Sequence, residues 1–112
     1  MHLHVIENKI TTEYEAAVYV FGYPETDEGV RTNLIRALNT AIQTVRGAVG
    51  VDVDALMPYD PRVKELAHIY TDDLYTVRGV SAKVSGATRQ LVATMELQLR
   101  MELRRLRGGA GA

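Results

Sequence analysis

Apolar residues recur at three- and four-residue intervals along most of this chain. From Val30 onward, Val30, Leu34, Leu38, Ala41, Ile42, Val45 and Val49 fall on one stripe of a helix. Arg31, Arg36, Asn39, Thr40 and Gln43 occupy the opposite face. Thr26 or Asp27 caps this helix, and Glu28 suits its first turn. Gly47 and Gly50 weaken its end. Before it, Thr11 or Thr12 caps a shorter helix whose Tyr14, Ala17, Val18 and Phe21 share a face, ended by Gly22-Tyr23-Pro24. A helix that short is marginal alone and depends on packing.

The stretch from Tyr59 to Leu106 carries the second half of the pattern. Asp60 is a good N-cap, and Pro61 fits the first helical position. Val63, Leu66, Ala67, Tyr70, Leu74 and Val77 form one stripe, with Arg78 in the last turn and Gly79 as a stop. A polar turn runs from Gly79 to Ser85, and Ser85 caps a longer helix. Its stripe is Leu91, Met95, Leu99, Leu103 and Leu106, widened by Val92. Leu97 and Met101 lie on another side, so this helix is apolar on two faces and wants a second partner.

These elements predict an all-α fold, a small antiparallel bundle of three or four helices with a long C-terminal helix. Residues 1–10 are expected to form an N-terminal arm, 11–107 the helical domain, and 108–112 a disordered Gly/Ala tail. Val51 to Tyr59 is a connection, with Pro58 barring continued helix.

Composition narrows the function more than the fold. With 112 residues the chain is one domain. It has no Cys, which removes disulfides and thiolate chemistry. No apolar run reaches the length of a membrane span, and Met1 to Ile10 has no secretory pattern. The net charge of −1 argues against a general nucleic-acid coat. That charge is unevenly spread. From Gly79 onward, Lys83, Arg89, Arg100, Arg104, Arg105 and Arg107 face only Glu96 and Glu102, so the preceding part is acidic. Such polarity can orient a subunit in an assembly, although cations also suit a helix C-terminus.

Candidate chemistry is sparse. His2 and His4 form an HxH pair without a third ligand. An EF-hand loop from Asp52 would need Gly at position six and Glu at position twelve, where Met57 and Val63 stand. Asp52 and Asp54 are therefore expected to solvate a loop. Asp72 and Asp73 are adjacent on a helix and diverge, so they do not form an acid/base pair. Glu65 and His68 are three residues apart, but one pair is not a catalytic constellation. His68 lies off the stripe and is expected at a polar surface or interface. The GxxG of Gly47 to Gly50 lacks the sheet of an RNA-binding KH domain. One RGG at Arg107 is too little for an RNA-binding tail. No phosphate-binding loop or nucleophile turn occurs. The six Tyr residues suit protein interfaces, with Tyr70 expected in the core and Tyr23, Tyr59 and Tyr75 at interfaces or helix ends. No catalytic residue, cofactor or metal is expected.

The Tyr59–Leu106 region also carries a family likeness. Asp60-Pro61-Arg62-Val63-Lys64, then Asp73-Leu74-Tyr75 followed by Arg78-Gly79, then the Ser85 turn, and finally Arg89-Leu91-Val92 with Leu97-Gln98-Leu99-Arg100 arrive in that order. This pattern resembles the tailed-phage head–tail connector family, adaptor or head-completion proteins also described as DNA-packaging proteins. The likeness covers Thr11 to Leu106 and is carried by the part after Tyr59. It implies a structural virion protein, not an enzyme, present in the host cytoplasm during assembly and then at the head–tail interface. Identical copies would form a ring under the portal protein, completing the filled head and joining it to a stopper or tail component. DNA would pass through the channel without sequence-specific binding. No membrane is involved.

Within that picture, exposure and charge make Arg100, Arg104, Arg105 and Arg107 candidates for docking on the portal. Asp72, Asp73, Tyr75, Lys83, Ser85 and Arg89 are candidates for a subunit interface or the channel. A different class of function, a helical DNA-binding or regulatory protein, would use the basic last helix on phosphates. Helix-turn-helix spacing fits that class poorly, because the turn is long and no recognition helix is defined.

Overall fold

Thr12 opens the first helix. Its hydroxyl accepts the Glu15 backbone N–H at 3.2 Å, and α1 (Glu13–Phe21) follows. Gly22 closes it in a left-handed conformation (φ 85°), donating its N–H to the Val18 carbonyl. Asp27 caps α2 (Glu28–Val49) by accepting the Val30 N–H at 2.9 Å. A 3-10 turn (Val53–Leu56) and a cis Met57–Pro58 bond lead to α3 (Pro61–Thr76). There the Asp60 carboxylate accepts the Arg62 N–H at 3.1 Å, as a cap should. The last helix, α4 (Gly86–Gly109), is the longest. This computed structural model describes residues 3–76 and 86–109. Among them there are four α-helices and no strand, an all-α bundle. No helix among them is long and apolar enough to cross a membrane.

The core is the meeting point of α2, α3 and α4. Leu38, Ile42 and Val45 of α2 pack with Val63, Leu66 and Ala67 of α3 and with Val92, Met95, Leu99 and Leu103 of α4. The α2 stripe is buried as its spacing predicts, apart from half-buried Val30 at the start. Helices α3 and α4 run antiparallel. Arg62, near the start of α3, donates to Gln98 at 3.0 Å, and Tyr70 donates to Glu96 at 2.8 Å. Burial, and then Glu96, pushes the Tyr70 hydroxyl pKa up.

Residues 3–10 lie against their own chain. Ile10 is buried in the core, and Val5 and Ile6 cover it. Asn39 of α2 holds this segment from both sides: its Oδ1 accepts the Ile6 N–H and its Nδ2 donates to the His4 carbonyl, each at 2.9 Å.

Three sequence expectations are corrected by these contacts. His68 is not at a surface; only 7% of it is exposed. Its Nε2 shares a 2.7 Å hydrogen bond with the Thr11 hydroxyl, and its ring lies 5.1 Å from that of Tyr19. Helix α1 buries Ala16 and Ala17, while Tyr14 and Val18 face outward. The buried positions of α1 are these two small residues, while its Tyr19 and Phe21 rings meet His68 and Tyr75 of α3. On α4, Leu91 and Leu106 of the predicted stripe are exposed, whereas Val92 is buried. The expectations for Val77, Arg78, Gly79, the Gly79–Ser85 turn and the Ser85 cap fall outside the described residues, as do His2 and residues 110–112. Helix α4 itself runs through Gly108 and Gly109.

Candidate interaction surface on the fourth helix

Helix α4 divides into two faces. Val92, Met95, Leu99 and Leu103 recur every three or four residues and are buried. Leu97 and Met101 are 53% and 60% exposed. At about 100° per residue they lie roughly opposite the buried stripe. Gln90, Thr94 and Arg104 continue this outer line at helical spacing, and all three are exposed.

Two features fix the rotation of α4. Gly50, at the end of α2, lets the helix come close: a Cβ there would meet Leu103 Cδ2 at 2.6 Å and Arg107 Nη2 at 2.9 Å. Beyond it, Asp52 receives Arg107 through both guanidinium arms, with Nε at 2.9 Å. Arg107 holds the Asp52 carboxyl below its ordinary range. Asp54, two residues on, accepts Arg46 at 3.0 Å and the Lys9 backbone N–H at 2.9 Å. These aspartates therefore form ion pairs and do not simply solvate a loop.

The four arginines of the proposed docking set differ in their engagement. Arg100 donates to the Ala48 carbonyl at 2.8 Å, Arg105 pairs with Glu102 at 2.7 Å, and Arg107 pairs with Asp52. Arg104 makes no hydrogen bond or ion pair among the described residues. Of the second set, Asp72, Asp73, Tyr75 and Arg89 are not all brought to one place. Asp72 accepts from Thr76 at 3.2 Å, and the Tyr75 ring meets Phe21 of α1 edge-on at 5.1 Å. Asp73 and Arg89 line a cleft of about 290 Å³ between α3 and α4, with Ile69, Tyr70, Val92, Ala93 and Glu96. Lys83 and Ser85 lie outside the described residues.

A second outward surface belongs to α1, where Tyr14 and Val18 are 63% and 40% exposed, one turn apart. Helices α1 and α4 flank α3 on opposite sides. Toward α1, α3 presents Lys64, which pairs with Glu15, His68, which meets Thr11 and Tyr19, and Tyr75, which meets Phe21. Toward α4 it presents Arg62, Ile69, Tyr70 and Asp73. The two sets sit roughly half a helical turn apart at 3.6 residues per turn.

Sequence periodicity located the α4 outer face, but it missed the α1 face and the Asp52 and Asp54 pairs. The signal for those pairs was the charge of each partner, without any local spacing to join them. Tyr59 is exposed to solvent. Among the described residues, no three His, Asp or Glu side chains converge on a point suited to a metal ion. No protein family, curated protein or solved structure matches this chain.

Proposed function

We propose that this chain is a structural virion protein, a head–tail connector that forms a ring below the portal and joins the filled head to the tail. The observation that carries the proposal is the second, outward apolar face of α4, Leu97 and Met101, on a helix whose other face already fills the core. A helix with two apolar faces needs two partners. The all-α bundle with a long last helix is the fold that the apolar spacing predicts, and its last helix offers a face for assembly.

In this reading the work is assembly by shape, valency and charge, with no reaction catalysed. The end of α4, with exposed Leu106 and Arg105, docks on an acidic portal surface. Arg100 and Arg107 brace the helix, since each has a partner on the α2 side of its own chain. Contacts that are weak singly become firm when repeated around a ring.

Light scattering of the purified chain, alone and with the portal protein of the same phage, followed by imaging, tests the proposal. Rings seated on the portal are the expected result. A monomer that ignores the portal but binds duplex DNA, with affinity falling steeply as salt rises, would overturn it and assign α4 to phosphate binding.

A further inference from the structure

The two exposed apolar faces are different from each other and lie on opposite flanks of α3. Tyr14 and Val18 project from α1; Leu97 and Met101 project from α4. Their charges are also opposite. Between Thr11 and Val30 stand Glu13, Glu15, Glu25, Asp27 and Glu28, with no Lys or Arg. Arg31 engages Glu13 and Lys64 engages Glu15, whereas Glu25 and Asp27 accept only backbone N–H groups. On α4, Arg104 continues the Leu97–Met101 line and has no partner among the described residues.

A contact between two unlike patches of one chain is head-to-tail. It does not close as a pair but passes from copy to copy, and it ends only when the rotation brings the chain of subunits back on itself. We infer that the Leu97–Met101 face of α4 seats on the Tyr14–Val18 face of α1 in the next copy, with Arg104 beside the acidic corner at Glu25 and Asp27. This rests on the ring reading above for the identity of the partner, a second copy. The pairing itself comes from exposure, placement and charge.

The contact is small. Two side chains on each side fall well short of the ~800 Å² per partner of a standard stable interface. Free copies therefore associate weakly, and the portal supplies the template on which the contact repeats.

The chain has no cysteine, so single thiols can be placed cleanly. The Tyr14→Cys and Met101→Cys variants change exposed positions and are expected to fold as the parent, which circular dichroism checks. The two are mixed at high concentration and treated with a short bismaleimide, and the products are weighed as intact masses. The expected result is a mixed dimer in about tenfold excess over either self-dimer, as an unlike-patch contact requires. A double variant should give a ladder of higher oligomers. Self-dimers of Met101→Cys would overturn the inference by showing α4 against α4. Statistical mixing or no product would overturn it as well. Portal-bound rings alongside either failure would leave the connector function standing. Mixed dimers from a chain indifferent to the portal would instead keep the interface and remove the connector.

Discussion

Leu97 and Leu99 are two residues apart on α4, and replacing each by Ala separates the two faces of the helix. Leu99 is fully buried against α2 and α3, and Leu97 is half open to solvent. Removing three buried carbon groups at Leu99 costs about 2.5 kcal/mol in lost transfer energy. The cavity left in a packed core raises this to roughly 2.5–5 kcal/mol. Against a total stability of order 5–15 kcal/mol, that is a large share. The melting temperature should fall by about 10–20 °C for a domain of this size. Leu97→Ala should move monomer stability by no more than about 0.5 kcal/mol, because the side chain leaves no void. Urea titration followed by far-ultraviolet circular dichroism measures both, with the slope checked for constancy. Oligomer formation should show the reverse order, weakened by Leu97→Ala. Equal destabilisation of the monomer by the two changes would refute the assignment of the faces.

Acid should weaken the fold in two stages. Burial holds the His68 pKa below its ordinary value of 6.5, with Glu15 opposing and Lys64 assisting. The unfolded chain then takes up a proton first, so stability is full above about pH 6.5 and falls as the pH drops toward the folded value. A second loss follows below about pH 4.5, as Glu15, Asp54 and Asp60, all lowered by their cationic partners, become protonated. Thermal melts from pH 8 to 3 should show both stages, and His68→Gln should lack the first. Gly50→Ala should cost about 1–3 kcal/mol in a urea titration, because its Cβ would overlap Leu103. Asn39→Ala removes both bonds to the N-terminal segment, at about 0.5–1.5 kcal/mol each, and limited proteolysis should then cut within residues 3–9. Unchanged protection there would count against the clasp.

The sequence made α2 legible because twenty-two residues give its stripe many repeats, and Asp27 and Gly50 mark its ends. It also showed that α4 carries apolar residues on two sides. Helix α1 misled because nine residues hold only two or three examples of each face. Tyr14 and Val18 looked like core by size, yet the buried positions of α1 are alanines. His68 misled for another reason: its Thr11 partner is 57 residues distant, and no local pattern reports a polar bond formed across the fold. The same holds for Arg107 and Asp52, 55 residues apart. Local periodicity reports how a helix faces its surroundings, while a buried polar pair becomes visible only when two distant segments meet.

Asp52 grips Arg107 in the final helix, and Asp54 grips the backbone at Lys9. One short loop thus clamps two segments from opposite parts of the sequence, the stretch before α1 and the last turn of α4, against the end of α2. The residues before Lys9 run back along α2, past Asn39 to Arg31, so Leu3 lies toward the other end of that helix from Arg107. A pair of dyes at Leu3 and Arg107 would therefore read the length of α2, and a nick in the loop would free both segments at once.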